Sequence, residues 1–237
     1  MYGYGYGGGL IYWVILGVTM LLSLGAMGYL KSVYARASRI PVASGLTGAQ
    51  TAARILQWAG INDVQIVEGE SFLGDHYDPL NKKLVLSPEN YEGSSAAHVG
   101  VAAHECGHAL QHQQHYIPLQ IRLGSVYATN FASNAIFYVT MASLFFHLIS
   151  PYVTLWILAL CMGVIMFFNL ITLPVEFDAS ARAKVVLQQL GIVRPGPEAQ
   201  AVNATLNAAG LTYVAAFLGT LLQFLYYLML LTGNRRN

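Results

Sequence analysis

The chain has 237 residues, of which 55% are hydrophobic and only 10% charged, with a formal net charge of +1. An average globular chain is about 25% charged, so the composition argues against a soluble domain. The near-neutral balance argues against nucleic acid or a strongly acidic macromolecule as a partner.

Residues 1–9, Met-Tyr-Gly-Tyr-Gly-Tyr-Gly-Gly-Gly, are of low complexity and expected to be disordered. Leu10–Leu30 then runs 21 positions without a charge, and about 20 apolar residues suffice for a helix to cross a bilayer. No basic residue precedes this run, and it exceeds the roughly 7–15 apolar residues of a cleaved signal peptide, so it reads as an uncleaved anchor. Ser125–Val175 is charge-free over 51 positions, interrupted by Ser150-Pro151, and Gly210–Gly233 over 24. The expected spans are 10–30, 127–149, 152–175 and 210–232. Lys31, Arg36 and Arg39 follow the first span directly. The excess of basic residues on cytoplasmic loops then predicts an outside N-terminus and a cytoplasmic 31–126. Arg182, Lys184 and Arg194, in the connector 176–209, agree; of the twelve basic residues only Arg235 and Arg236 dissent. The two cysteines, Cys106 and Cys161, lie in the polar segment and in a span; a disulfide between them is not expected, which suits a reducing compartment.

The polar segment 31–126 reads as a small α+β domain. Thr47 with Gln50 makes a capping-box pattern, opening a helix that runs to about Ala59 and stops at Gly60. Asp63–Glu68 alternates like a strand. Phe72–Tyr77 and Lys82–Leu86 flank Asp78-Pro79-Leu80-Asn81, whose proline and asparagine suit a hairpin turn. Ser94 or Ser95 can cap the next helix. Because an extended substrate can add a strand to a free sheet edge, the stretch Lys82, Lys83, Leu84, Val85, Leu86 is the expected substrate-binding edge.

That next helix carries His104-Glu105-Cys106-Gly107-His108, an H-E-x-x-H sequence. Residues four apart share one helix face one turn apart. Both imidazoles can therefore reach one metal ion, with Glu105 beside them to take a proton from an activated water. Catalytic zinc sites usually have three protein ligands. His112 lies a further turn from His108, and the glycine and last histidine of a metzincin are replaced by Gln111 and Gln114, so His112 and His115 are expected at the surface. Glu176 offers a better third ligand. It follows the third span directly, and two spans return the chain to the same side of the membrane. A carboxylate at a span end needs a partner; zinc is one reading, and Arg182 or a solvated helix start is the other.

These strings carry a resemblance. Thr47-Gly48-Ala49 with Arg54-Ile55-Leu56, Asp75-His76-Tyr77-Asp78-Pro79 with Asn81-Lys82, Ala102–His112, Leu173–Ser180 and Ala208–Ala216 resemble the YugP-type neutral zinc metallopeptidases of bacterial membranes over nearly the whole chain. More distantly, Glu176-Phe177-Asp178-Ala179-Ser180 resembles the E-F-x-A-D string of the HtpX and CAAX prenyl protease families. The resemblance implies a gluzincin-like core, one zinc ion per chain and Glu176 as its third ligand. It also implies a protein or peptide substrate, itself membrane-associated, and residence in a bacterial plasma membrane. Those families have Asp where this chain has Ser180, so either Ser180 or Asp178 steadies a histidine ligand here. His76, His98, Arg182 and Tyr213 are further candidates for oxyanion or supporting roles. The reading is a four-span α-helical membrane protein whose α+β domain hydrolyses peptide bonds with Glu105 as general base. The alternative is a non-catalytic scaffold that zinc stabilises.

Overall fold

The structure is a computed structural model that describes residues 6–70 and 74–233. In chain order its elements are α1 (Tyr6–Ala37), α2 (Gly48–Trp58), β1 (Gln65–Glu68), β2 (His76–Asp78), β3 (Lys83–Leu86), α3 (Pro88–Glu92), α4 (Ala96–Gln113), α5 (Ile117–Leu144), α6 (Pro151–Gln189) and α7 (Pro197–Gly233). Helix α1 begins at Tyr6, so residues 6–9, expected to be disordered, are helical; residues 1–5 lie outside the described residues, as do 71–73, which include the first two positions of the expected strand 72–77. The chain divides into two compact units.

The apolar unit comprises the chain up to Ala26, Ile121–Leu173 and the chain from Tyr213 on. Among the described residues three helices are long and apolar enough to cross a membrane: Gly9–Ala37, Pro151–Gln189 and Pro197–Gly233, with hydropathies of 2.1, 2.3 and 1.9. The expected span 127–149 is not one of them. Helix α5 stops at Leu144, and the chain turns through His147 at φ +50°. Ser125, Thr129, Asn130, Ser133, Asn134, Thr140 and Ser143 dilute its apolar character. The hydroxyls of Ser125, Thr129 and Thr140 donate to carbonyls one turn back, at 2.7, 2.9 and 2.6 Å, which satisfies them within the helix. Helices α6 and α7 approach closely where Gly163 faces the Phe224 ring, and Asn169 donates to Thr220 at 3.2 Å.

The polar unit joins Met27–Gln120 to Pro174–Thr212. Its α2 starts in the expected capping box of Thr47 and Gln50 and ends before Gly60, at φ +69°. Its α4 starts in a second box, Ser95 with His98. Along α4 nearly every side chain is buried, and many are small: Ala96, Ala97, Ala102, Ala103, Cys106 and Ala109. Small residues allow neighbouring backbones to come close, and at Gly107 an added Cβ would lie 2.5 Å from the Ala179 carbonyl oxygen of α6. Ile55 and Leu56 of α2, Leu84 and Leu86 of β3, and Val186, Leu187 and Val202 complete one apolar core around α4.

The sheet corrects the strand reading. Its order is β1-β3-β2, with β1 parallel and β2 antiparallel to β3. The hairpin is as expected, its turn held by the Asp78 carboxylate, which accepts from the Leu80 and Asn81 amides. But β3 is paired on both sides, and Leu84 and Leu86 are fully buried. The stretch Lys82, Lys83, Leu84, Val85, Leu86 is therefore the centre of the sheet and offers no free edge for a substrate. Lys82 instead pairs with Asp63. Among the described residues the free edges are those of β1 and β2.

Candidate metal centre

Helix α4 presents His104 and His108 one turn apart, their rings 4.8 Å between centroids. Helix α6 brings Glu176 between them: its Oε2 lies 3.2 Å from His104 Nε2 and 3.7 Å from His108 Nε2. One ligand atom from each of the three residues falls within 4.8 Å of the others. A tetrahedral zinc with bonds near 2.0–2.2 Å holds its ligand atoms about 3.3–3.6 Å apart, so the spacing fits one ion. The donor set fits as well. Two imidazoles and a carboxylate make the ligand set of several catalytic zinc sites, and Glu176, only 2% exposed, is an anion that burial would otherwise penalise heavily.

Each histidine is held from behind. His104 Nδ1 lies 3.1 Å from the Ser180 hydroxyl, and His108 Nδ1 lies 3.0 Å from Gln111 Oε1. With the Nδ1 atoms occupied, both Nε2 atoms face Glu176, the arrangement that supporting groups give to metal-ligating histidines. Glu105 is buried, and burial pushes its carboxyl pKa up against the lowering effect of His104 and His108. Burial lowers the pKa of His108, but the hydrogen bond to Glu176 and the charge of Glu105 outweigh it and the net shift is upward.

The other candidates fall on both sides of this line. Asp178 is drawn in through Gln111, whose Nε2 donates to its Oδ2 at 2.8 Å. Arg182 donates to the same oxygen at 2.5 Å and also to Gln114; it serves Asp178, and Glu176 faces the histidines. His98 closes the capping box of α4, with its ring Nε2 3.6 Å from Glu89, nearly two turns before His104. That role at the helix start removes it from the site. His76 is exposed and bonded to the Gly74 carbonyl. By strand alternation it lies on the face opposite Tyr77 and buried Leu84, away from α4. Tyr213 belongs to the apolar unit. His115 is exposed, whereas His112 is half-buried with its Nδ1 2.9 Å from the Tyr77 hydroxyl. The string at 75–79 is thus a brace. Asp75 accepts from the Ser87 amide and hydroxyl and from Asn90, and Asn90 accepts from the Tyr34 hydroxyl of α1.

Two residues of the site escaped the sequence reading. Gly107 lets α4 approach the α6 backbone, and Gln111 supports His108. Gln111 sits at the third position after His108, and that helical spacing was the only signal available.

A family model described as "Putative neutral zinc metallopeptidase" matches residues 12–232. The chain is 39% identical over 214 residues to "Putative membrane protease YugP" of Bacillus subtilis (strain 168), covering 90% of this chain and 93% of that protein. No solved structure matches. The chain belongs to this neutral zinc metallopeptidase family.

Proposed function

We propose that this member of the family is a membrane-embedded zinc metalloendopeptidase of the His-His-Glu type, with His104, His108 and Glu176 as metal ligands and Glu105 as general base. The convergence of Glu176 on the two imidazoles, with a buried glutamate beside them on the same helix, carries the reading. Zinc bound here would acidify a water molecule and polarise the scissile carbonyl. Glu105, its basicity raised by burial, takes the proton from the attacking water and delivers it to the leaving nitrogen. Ser180 and Gln111 keep the imidazoles aimed. A substrate strand has β2 to pair with: it is a free edge, and the Tyr77–His112 contact ties it to α4, one turn past His108.

Helix α6 is apolar enough to cross a bilayer, yet His104 and Glu176 touch. The chain between them must cross an even number of times, and α5 is the only other helix in that interval. We therefore read α5 as a fourth crossing despite its polar residues. Ten of the twelve basic residues then share one side with the polar unit, the cytoplasmic side by the positive-inside rule. Cysteine placed at exposed Asn62 should resist a membrane-impermeant reagent in intact cells; rapid labelling would invert the topology.

The decisive experiment uses the purified full chain in detergent or vesicles with an unstructured protein substrate. Wild type should contain one zinc and cleave; Glu105→Gln should keep the zinc and lose about 10²–10⁴ in rate. Equal turnover by the two would remove Glu105 from the mechanism, and a wild type without zinc would end the metallopeptidase reading.

A further inference from the structure

We propose that Gln111 is a positioning residue for His108, locked in one orientation by Asp178 and the Val175 carbonyl, so that helix α6 fixes the tautomer of a histidine on helix α4. The inference rests on the metallopeptidase reading and goes beyond its ligand set. Gln111 is fully buried. An amide side chain can be turned either way about its last bond, and its neighbours decide which end is the donor. Here two acceptors, the Val175 carbonyl and Asp178 Oδ2, each lie 2.8 Å from one end of the amide. Neither can donate, so that end is the NH2 group. The oxygen therefore faces His108 Nδ1 at 3.0 Å, and Nδ1 must carry the proton. The Nε2 lone pair is left for the metal.

The other histidine is held differently. Ser180 offers His104 a hydroxyl, which can rotate and either donate or accept; it sets direction without dictating the tautomer. Arg182 completes the lock by donating to the Asp178 oxygen that Gln111 uses. The order Arg182, Asp178, Gln111, His108 is one chain of hydrogen bonds in which each member has a single orientation. Loss of a supporting group of this kind typically costs 10–100-fold in metal affinity.

The test measures zinc affinity by chelator competition, and the absorption bands of Co2+ in place of zinc, on the purified full chain. Gln111→Met keeps volume and removes the acceptor. It should weaken zinc 10–100-fold and shift the Co2+ bands, which a loss of packing alone would leave in place. Asp178 is 30% exposed at its side chain, so its variants keep the test open if Gln111→Met fails to fold. Asp178→Ala leaves the amide only one of its two acceptors, the Val175 carbonyl, and should weaken zinc several-fold. Asp178→Asn retains an oxygen that can accept from both Gln111 and Arg182 and should restore wild-type affinity to within about twofold. Wild-type affinity and spectra in both Gln111→Met and Asp178→Ala would overturn the proposal. So would an Asp178→Asn variant as weak as Asp178→Ala, since charge and not orientation would then be at work. A wild type that takes up no zinc would instead sink the metallopeptidase reading beneath it, an outcome the wild-type control separates from the others.

Discussion

Helix α4 places His104, Glu105, His108 and Gln111 within two turns of an almost wholly buried helix, whereas α6 places Glu176, Asp178, Ser180 and Arg182 at the far end of a helix whose first half is apolar enough for a membrane. On α4 the relation between the two candidate ligands comes from helix geometry alone; any stable helix there would set the two histidines on one face. On α6 nothing local places Glu176 beside them. That depends on how closely the two helices meet. The supports cross the contact in both directions, with Ser180 of α6 behind His104 and Gln111 of α4 held by Asp178 of α6. The site is thus a property of the helix pair, and changes on the α6 side test that most directly.

Removing Glu176 should have the largest effect. Glu176→Ala takes away the ligand proposed on α6, and zinc affinity should fall by more than the roughly 10–100-fold typical of a lost supporting group. Arg182→Ala makes the contrast. If Glu176 were there to pair with Arg182, the two variants would behave alike. The structure gives Arg182 to Asp178, so Arg182→Ala should retain most of the zinc, and metal analysis of the two proteins decides between the readings.

The contact itself is set by Gly107. An added Cβ would fall 2.5 Å from the Ala179 carbonyl oxygen, a backbone atom that cannot turn aside. Gly107→Ala should therefore destabilise the chain by about 1–3 kcal/mol, the usual cost of overpacking, and lower zinc affinity as the helices part. Gly163→Ala in the apolar unit meets the Phe224 ring at 3.2 Å, and a side chain can shift. Its thermal midpoint should drop less and its zinc should be unchanged. Equal losses in the two variants would mean that the α4–α6 approach is not special.

What the sequence discloses follows the same division. The capping box at Thr47, a serine cap for α4, the hairpin turn, three of the four apolar runs and the histidine pair are set by residues a few positions apart, and all could be read directly. Glu176 could be singled out because two spans return it to the side of the histidines and because Glu176-Phe177-Asp178-Ala179-Ser180 resembles the E-F-x-A-D string of other families. Gln111 could not, because its role depends on Asp178 and Val175, more than sixty positions away. Nor could the sheet order. The hairpin 76–86 reads as a unit whose second strand is an edge, and nothing local announces that β1 adds to that strand in parallel from the other side. The span expected at 127–149 is not among the helices apolar enough to cross a membrane, because its serines, threonines and asparagines lower the hydropathy, although several satisfy their hydroxyls inside the helix.

The sheet supplies a smaller test of which element serves the site. With β3 internal, β1 and β2 are the edges left among the described residues to accept a further strand, and β2 is tied to α4 through Tyr77 and His112. Burial, with the charges of Asp63 and Asp78, pushes the Tyr77 hydroxyl up to about 12, so it stays protonated and keeps that bond at working pH. Binding of a peptide-like inhibitor should slow amide hydrogen exchange at 76–78 and leave 65–68 unchanged. Protection at β1 would move the substrate to the opposite edge.

The smallest expected effect is at Ser180. Its hydroxyl supports His104 as Gln111 supports His108, and by distance the two are equivalent, 3.1 and 3.0 Å. Their surroundings differ. The His104 side chain is 13% exposed, and a water molecule can replace a lost hydroxyl there. Gln111 is fully buried, and a vacated acceptor beside His108 leaves an unsatisfied N–H at the full desolvation cost of about 1–3 kcal/mol. Ser180→Ala should therefore weaken zinc by less than about tenfold, the low end of the range for supporting groups, and by clearly less than Gln111→Met. Ser180→Thr, which keeps the hydroxyl, should recover most of the loss. A loss at Ser180→Ala as large as that at Gln111→Met would show that the two histidines are supported equally, and the asymmetry drawn from burial and amide orientation would fall.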